Sequence, residues 1–356
     1  MIDATELLLE LVRTPSPSGD EARAAAVLAG WARAHELDTE VDDTGVRLVV
    51  EGREPGPTLL LASHLDTVPP GDGWSVPPYG GVVNGDRLTA RGAVDAKASV
   101  SAMAAAAAWI RTSGGLAKGR LVVLATFSEE TRDTTMPAAL ERFDTPPDAA
   151  IVGEPTSLEP CIAQRGQLLV ELHWAGDQVH AGWAAGRRPK PVNAIDRAAA
   201  DLCDHEHLVF DRVHPLLGEV AVTPTQLSAG VARNVTPPSA WAMLDIRTTP
   251  AYEHDEVVAM LTEHLDARIE IYSDRLVPAE TPSGSRLLPA VMSAIPEARP
   301  FASPTCSDWV FLRHLDAVKL GPGDSQRSHT VDEWIELDDV RAAVGIYAAT
   351  AKEYLQ

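Results

Sequence analysis

Residues 59–71 read LLLASHLDTVPPG, and the rest of the fold is built around this stretch. The apolar run LLLA indicates a strand that is buried on both faces, as in a parallel sheet covered by helices. His64 and Asp66 follow at once, and residues i and i+2 of an extended segment project from the same face. The imidazole and the carboxylate therefore point into one space, either as a hydrogen-bonded corner or as part of a site.

Helix and strand patterns alternate around this stretch over the first 160 residues. Short apolar strands interleaved with helices indicate an α/β domain with a mainly parallel sheet covered on both faces. The predicted helices are residues 5–12, 21–35, 96–111 and 136–142, and the predicted strands are residues 46–51, 58–62, 120–127 and 148–152.

The pattern changes between residues 164 and 273, where strand, helix, strand, strand, helix and strand follow one another. This order is typical of a ferredoxin-like α+β unit. The chain then returns to a helix (285–295), a strand (317–320) and a last helix (338–354), which suit the first sheet. We therefore expect a domain of residues 1–163 and 274–356, interrupted by an inserted domain of residues 164–273.

The composition is that of an acidic globular protein. A chain of 356 residues with 45% hydrophobic residues can fill two domain cores. The net charge of -21 argues against a nucleic-acid partner, because binding to phosphates requires clustered Lys and Arg. Three scattered cysteines fit neither a disulfide framework nor a thiolate zinc cluster. No apolar run of about 18 residues could span a membrane, so we expect a cytoplasmic protein without a membrane partner.

Acidic residues and histidines follow the ends of four predicted strands, and Asp95 precedes the alanine-rich helix. Each one alone has an ordinary interpretation, as a hydrogen-bonded corner, a solvated loop or a helix cap. In an open parallel sheet, however, this edge is where ligands bind. So many ionisable groups at one edge would repel each other unless cations neutralise the carboxylates. The residues after the strands are His64, Asp66, Glu129, Glu130, Glu154 and His329.

The types of side chain indicate which cation would bind. Two imidazoles with several carboxylates and no thiolate suit zinc, or cobalt or manganese, better than calcium. The candidate ligands outnumber the three protein ligands of a typical catalytic zinc, so two metals that share a bridging carboxylate fit best. Two metals about 3.5–4 Å apart are a hydrolytic arrangement.

Several motifs resemble a known family, the co-catalytic zinc deacylases and exopeptidases. This family includes acetylornithine deacetylase, succinyl-diaminopimelate desuccinylase, aminoacylase and carboxypeptidase G. The resemblance covers essentially the whole chain. The motifs that carry it are SHLDTVPPG, DGWSVPPYGGVVNGDRLTARGAVDAK, SEE, VGEPT and GPGDSQRSHTVDEW.

The resemblance implies that five of these residues bind two zinc ions, which cobalt or manganese can replace. Asp95 would bridge both metals. His64 and Glu154 would complete one site. Glu130 and His329 would complete the other.

The resemblance also implies roles for the residues beside the metals. Glu129 would be the general base that takes a proton from the metal-bridging water and delivers it to the leaving amine. Asp66 would orient the imidazole of His64. A cis peptide bond is implied between Asp95 and Ala96.

The inserted domain resembles the family's lid, through which a homodimer would form. His180 matches a lid histidine that polarises the scissile carbonyl, although it could instead be an ordinary loop histidine. Arg233, Asn234 and Arg247 match positions that hold the substrate carboxylate, and surface salt bridges are the alternative for the two arginines.

The end of the chain, SPTCSDWVFL and KLGPGDSQRSHTVDEW, is most similar to members that release ornithine or lysine from an N-acyl form. The expected substrate is therefore a small N-acyl amino acid, and the leading hypothesis is N-acetylornithine deacetylase of arginine biosynthesis. Arg247 and Asn234 would bind its α-carboxylate, and Asp133 or Asp308 its ammonium group.

Three alternatives remain open. One is a hydrolase that frees lysine or ornithine from an acidic amino-group carrier protein. The net charge of -21 would repel such a carrier unless it binds the basic patch at residues 187–190. A second is a succinyl-diaminopimelate desuccinylase, metallo-dipeptidase or carboxypeptidase. The third is a binding protein that kept the fold, which would be expected to have lost Glu129 or a ligand.

Overall fold

The computed structural model describes residues 2–131 and 134–356 of the chain. These residues form two units, and the chain leaves the first unit and later returns to it. The first unit is Met1–Ile162, Glu280–Phe301 and Ser307–Gln356, and the second is Ala163–Ala279 and Ala302–Cys306. The catalytic and lid assignments made from the sequence stay predictions.

The described residues contain ten α-helices and fifteen strands, numbered here in chain order. The helices are α1 (Thr5–Arg13), α2 (Ala22–Ala34), α3 (Lys97–Thr112), α4 (Met136–Leu140), α5 (Ala181–Ala184), α6 (Ala194–Asp204), α7 (His254–His264), α8 (Leu287–Ala294), α9 (Trp309–Leu312) and α10 (Leu337–Tyr354). The strands are β1 (Asp38–Val41), β2 (Gly45–His64), β3 (Val82–Asn84), β4 (Arg87–Thr89), β5 (Leu116–Thr126), β6 (Ala149–Val152), β7 (Cys161–Gln164), β8 (Gly166–Ala175), β9 (Ala221–Ala229), β10 (Ser239–Thr248), β11 (Arg268–Leu276), β12 (Ala279–Glu280), β13 (Phe301–Ser303), β14 (Asp316–Lys319) and β15 (Trp334–Glu336).

The sheet of the first unit is parallel at its centre. The second half of β2 pairs in parallel with β5 on one side and with β6 on the other, and β6 pairs in parallel with β14. β1 and β7 add antiparallel pairs on either side. The predicted α/β class is confirmed, and antiparallel strands flank the parallel centre.

β2 combines two segments that the sequence predicts as separate strands, residues 46–51 and 58–62. The first segment pairs with β5 from Val46↔Ala125 to Glu51↔Arg120, whereas the partners of the second run from Thr58↔Arg120 to His64↔Thr126. The two segments therefore run in opposite directions along β5. The chain turns back between them at GREPGP, residues 52–57, where glycine and proline favour a turn.

Helix α3 is buried along most of its length, because it packs against β2, β5, α1 and α10. Its alanine side chains allow these neighbours to approach closely. The helix begins at Lys97, two residues after Asp95. The packing of α3 therefore restrains the backbone that carries Asp95.

The second unit has the predicted ferredoxin-like arrangement. Its antiparallel sheet has the order β11-β8-β10-β9, with α6 between β8 and β9 in the chain and α7 between β10 and β11. Along β8, the buried residues Leu168, Val170, Leu172 and Trp174 alternate with partly exposed ones. This alternation is expected when one face of a sheet is covered by helices.

A small antiparallel sheet of the first unit, with the order β15-β4-β3, has no counterpart among the predicted strands. Each of its strands has only three residues, which is too short for a periodic pattern to be visible in the sequence. In the part of the chain that the structure describes, no helix combines the length and apolar character that a membrane crossing requires.

Candidate active site and metal centre

Four neighbouring strands bring the predicted site residues to one edge of the main sheet. β5, the second half of β2, β6 and β14 lie side by side and run parallel, so their carboxyl ends meet. His64 is the last residue of β2, Glu129 and Glu130 follow β5, and Glu154 follows β6. His329 lies in the loop after β14 and has a left-handed backbone (φ 62°).

Asp95 lies between the two histidines, and each of its carboxylate oxygens faces a different imidazole. Its Oδ1 is 3.2 Å from Nε2 of His64, and its Oδ2 is 3.3 Å from Nε2 of His329. Oε1 of Glu154 lies 3.9 Å from the same nitrogen of His64, and Oε1 of Glu130 lies 2.9 Å from that of His329. The five side chains thus form two groups that share Asp95.

Asp66 supports this arrangement from behind His64, and its side chain is fully buried. Its carboxylate lies 3.2 Å from Nδ1 of His64 and accepts hydrogen bonds from the backbone N–H groups of Glu129 (3.0 Å) and Glu130 (3.1 Å). The hydroxyl of Ser18 donates to the same carboxylate (2.7 Å). Asp66 therefore contacts both an imidazole of the site and the turn that carries two of its carboxylates.

The turn that carries Glu129 is fixed by a second carboxylate. Glu21 accepts a hydrogen bond from the backbone N–H of Ser128 (3.1 Å) and contacts its hydroxyl (3.3 Å). Ser128 itself has a left-handed backbone (φ 58°). Three successive N–H groups, from Ser128 to Glu130, are thus bound by carboxylates, which restricts the directions that the side chain of Glu129 can take.

The carboxylates of the site have strongly altered pKa values. Burial raises the pKa of Glu154 to about 8, and the nearby charge of Asp95 adds to this effect. Burial also raises the pKa of Glu129, with contributions from the charges of Asp308 and Glu154. Burial opposes ionisation of Asp95, yet hydrogen bonds from His329 and His64 hold its pKa well below its usual value.

The pKa values of the two histidines of the site are also raised. Hydrogen bonds to Asp95 and Glu130 raise the pKa of His329 to about 10. Burial disfavours the charged form of His64, but hydrogen bonds to Asp66 and Asp95 raise its pKa. Without a cation, the imidazolium forms of these histidines would supply the positive charge that the carboxylates require.

The donor set fits a metal centre. One imidazole nitrogen and two carboxylate oxygens from His64, Asp95 and Glu130 lie within 4.8 Å of one another. The imidazole and carboxylate donors around Asp95 are those that zinc and similar first-row divalent cations prefer. A cation would also offset the repulsion that raises the pKa of Glu154.

A second group of possible ligands, Glu171, His173 and Glu270, lies on the sheet of the second unit. Its side chains are partly exposed, and Arg268 also contacts Glu270. An ordinary ion-pair network accounts for this group.

Two buried charged residues near the site are not predicted from the sequence. Nζ of Lys97 donates to the carbonyls of Leu11 and Thr14 (both 2.9 Å), and burial lowers its pKa to about 7. The carboxylate of Glu333 accepts hydrogen bonds from the segment that leads to Asp95. Lys97 and Glu333 both lie in the motifs quoted above. Only their burial in the fold distinguishes them from ordinary exposed charged residues.

The Asp95-Ala96 peptide bond is cis, which confirms that prediction.

Asp308 is one of the two residues predicted to bind the substrate ammonium. Both of its carboxylate oxygens accept a hydrogen bond from the hydroxyl of Thr134 (3.2 and 3.0 Å). Asp133, the other residue predicted to bind the substrate ammonium, lies outside the described residues.

His180 and the three residues predicted to bind the substrate carboxylate belong to the second unit, where their local environments differ. His180 precedes α5, and its Nδ1 accepts a hydrogen bond from the N–H of Gly182 (3.1 Å). Arg233 and Asn234 are exposed. Arg247 makes two hydrogen bonds to Asp245 (2.7 and 3.0 Å), which hold its guanidinium in place. Their roles in substrate binding stay predictions.

Comparison with known proteins identifies the family. The model of the peptidase family M20/M25/M40 matches residues 60–353, a range that includes all the residues around Asp95. The chain belongs to this family. As a family member it is a metallohydrolase.

Individual relatives of this M20-family chain match nearly its full length. It is 30% identical to a succinyl-diaminopimelate desuccinylase from Rhizorhabdus wittichii, an alignment that covers 98% of this chain and 97% of the relative. It is also 30% identical to a putative LysW-lysine/LysW-ornithine hydrolase from Aeropyrum pernix, with 98% and 95% covered. The crystal structure of aminopeptidase PepT from Bacillus cereus has the same fold, with a TM-score of 0.81, 18% identity and 99% and 98% covered.

Proposed function

We propose that this M20-family chain is a two-metal hydrolase that cleaves the amide bond of an N-acylated diamino acid. The arrangement of Asp95 carries the proposal, because its two oxygens face two different histidines. A carboxylate that binds a single metal ion does not need a different histidine beside each of its two oxygens. The donor groups on either side of Asp95 support two separate cation positions.

The residues would divide between the two cations as follows. His64, Glu154 and one oxygen of Asp95 would hold one zinc. His329, Glu130 and the other oxygen would hold the second. When bound, such a cation pair supplies positive charge that polarises an amide carbonyl and favours ionisation of water.

Glu129 would act as general base and then as general acid. Burial raises the pKa of its carboxyl group, which makes this group a better proton acceptor than an ordinary glutamate. It would take a proton from the attacking water and give that proton to the leaving amine nitrogen. The bonds from Asp66 to the N–H groups of Glu129 and Glu130 would keep this carboxylate in position.

The second unit would act as the lid and as the dimerisation domain. In this proposal, His180 would donate a hydrogen bond to the scissile carbonyl. Arg247, Arg233 and Asn234 would bind the α-carboxylate of the substrate. The two hydrogen bonds between Arg247 and Asp245 would preorganise the guanidinium for that task.

The diamino-acid part of the proposal is supported by the names of two relatives. One relative is named for succinyl-diaminopimelate, and the other is named for lysine and ornithine linked to LysW. N-acetylornithine, expected from the chain end, belongs to the same class of N-acyl diamino acids. Succinyl-diaminopimelate and carrier-linked lysine or ornithine are the two other candidates that these similarities favour.

A substrate panel tests the proposal. The zinc-loaded protein would be assayed with N-acetylornithine, succinyl-diaminopimelate, carrier-linked lysine and simple dipeptides, and again with cobalt and manganese. We expect kcat/KM for at least one acylated diamino acid to exceed that for the dipeptides by about 100-fold or more, because a site that hydrogen-bonds its substrate can discriminate by up to about 10⁴–10⁵-fold. Preference for dipeptides would contradict the substrate class.

Dialysis against a chelator tests the metal part separately. Hydrolysis should be lost on dialysis and restored by added zinc, because the cations polarise the amide. Full amide hydrolysis by the dialysed protein would exclude the metal mechanism.

A further inference from the structure

The small sheet β15-β4-β3 is the common base of two segments that carry proposed ligands. β4 leads through residues 90–95 to Asp95, and the residue before β15 is Glu333, four residues after His329. β15 and β4 pair antiparallel, with Trp334 opposite Thr89. The carbonyl of Glu333 also accepts a hydrogen bond from the N–H of Ala90 (2.9 Å). The segment that carries His329 thus leads into β15, and the segment that carries Asp95 follows the paired strand β4.

The side chain of Glu333 connects these two segments by hydrogen bonds. It is fully buried, and its two oxygens accept four hydrogen bonds from residues 91–95. Oε1 accepts from the N–H groups of Val94 (2.7 Å) and Asp95 (3.1 Å). Oε2 accepts from the N–H of Gly92 (3.1 Å) and from Nη1 of Arg91 (2.6 Å).

This set of bonds fixes the backbone that directs the carboxylate of Asp95. The ion pair with Arg91 offsets the charge of Glu333, and the backbone donors satisfy its remaining acceptor positions. The orientation of Asp95 matters because each of its oxygens faces a different histidine. A small rotation of its carboxylate would disturb both groups at once.

We infer that Glu333 is a positioning residue for both cation sites and acts through the backbone of Asp95. The inference rests on the proposed two-metal function. It differs from the simpler alternative that Glu333 only holds the loop that carries His329. In that alternative only one cation site would depend on Glu333, because Glu154 and His64 do not belong to that loop.

Stepwise zinc binding distinguishes the two possibilities. Metal-free protein would be titrated with zinc by calorimetry, and the two association constants would be measured for the wild type, Glu333→Gln and His329→Ala. Outer residues that orient metal ligands typically change metal affinity by about 10–100-fold. We expect Glu333→Gln to lower both constants by such a factor, and His329→Ala to abolish one step and retain the other.

Asp316→Asn is the control for the loss of a carboxylate that accepts hydrogen bonds from backbone N–H groups, and Asp316 is partly exposed. The carboxylate of Asp316 also accepts bonds from two backbone N–H groups, those of Arg286 (2.7 Å) and Leu287 (2.9 Å), but it contacts no proposed ligand. Both zinc constants of Asp316→Asn should equal those of the wild type. An equal decrease in this variant would overturn the inference, because the effect would then reflect a general loss of stability.

Four further results would contradict the role of Glu333 or the proposed function. Wild-type constants in Glu333→Gln, or loss of a single step as in His329→Ala, would overturn the inference while leaving the two-metal proposal intact. If circular dichroism shows that Glu333→Gln does not fold, Glu333→Asp replaces it. The aspartate side chain is one methylene shorter and cannot reach all four donors. Wild-type zinc constants in Glu333→Asp would also overturn the inference. A folded wild-type chain that binds no zinc would contradict the proposed function itself.

Discussion

At the scale of single residues, the chemistry depends on a few carboxylates held by their neighbours. Asp66 binds an imidazole and two backbone N–H groups, and Glu21 binds a third N–H group of the same turn. Glu129 and Glu130 are adjacent in sequence but have different proposed tasks, one as a base and one as a ligand. The turn that carries them is therefore the part of the site where a small displacement would affect both tasks.

Replacement of the proposed base separates proton transfer from metal binding. Glu129→Gln keeps the size of the side chain but cannot take up a proton, so kcat should fall by about 10²–10⁴-fold. The zinc content, measured by atomic absorption, should remain that of the wild type. Glu54→Gln, an exposed glutamate in the turn within β2, is the control and should leave kcat unchanged. Substantial turnover by metal-loaded Glu129→Gln would exclude Glu129 as the base.

The raised pKa values predict that cation binding depends on pH. In the metal-free protein, Glu154 (pKa about 8) and His329 (pKa about 10) both carry a proton at neutral pH. Both must lose it to bind a cation, so binding should release protons and the apparent affinity should rise with pH until both pKa values, about 8 and about 10, are passed. Calorimetry in two buffers of different ionisation enthalpy measures the protons released. Affinity that does not vary with pH would contradict this prediction.

The positions of most site residues could be predicted from the sequence. The buried residues that hold them in place could not. His64 and Asp66 were recognisable because a spacing of two residues after a buried strand places both side chains on one face. Glu333 was not recognisable, because a lone glutamate in a loop is usually solvated. Its partners are backbone groups about 240 positions earlier in the chain, and a sequence pattern does not show such contacts.

At the scale of secondary-structure elements, the loops that follow the strands pack closely against each other. A Cβ atom added at Gly321, just after β14, would lie too close to the carbonyl oxygen of Glu154 and to the hydroxyl of Ser99. The loop after β14 thus runs directly over the residue that follows β6. Glycine at this position allows two ligand-bearing loops to approach one another.

Gly321→Ala should therefore destabilise the metal-free protein. The added methyl group must displace the backbone of Glu154, and overpacking of this kind costs about 1–3 kcal/mol. Urea unfolding measures the difference in free energy of unfolding from the wild type. Gly284→Ala is the control, because a Cβ at Gly284 meets no atom within 4 Å. Equal midpoints for the wild type and Gly321→Ala would show that the loops have room to separate.

The elements themselves were predictable where the pattern was long. Helix α10 was expected at residues 338–354 and spans Leu337–Tyr354, because apolar residues recur along it at helical spacing. The small sheet β15-β4-β3 was missed, since strands of three residues carry no period. This matters for the site, because the missed sheet is the framework on which Glu333 and the segment to Asp95 rest.

At the scale of the whole molecule, the proposed ligands come from distant parts of the sequence, between His64 and His329, and all lie in the first unit. Cations that bind them would cross-link segments that are free to separate in the unfolded chain. The native state would then gain the full binding free energy, as for any ligand that binds only the folded form.

Added zinc should raise the midpoint of thermal unfolding. At a free zinc concentration of 100 times Kd, one site stabilises the folded state by about 2.7 kcal/mol. Differential scanning calorimetry with a chelator and with excess zinc measures the change. His329→Ala, which keeps one proposed site, should show a smaller rise. Identical midpoints under both conditions would show that the folded chain binds no cation.

The position of the second unit in the chain has a consequence for biosynthesis. Four of the five proposed ligands precede the inserted segment, and His329 follows it. During translation, a nascent polypeptide would therefore expose a half-formed, strongly anionic pocket until the ribosome had made the insert and reached the final portion. A cation captured before that moment would have an incomplete set of ligands, so the dinuclear centre could mature only near the end of synthesis.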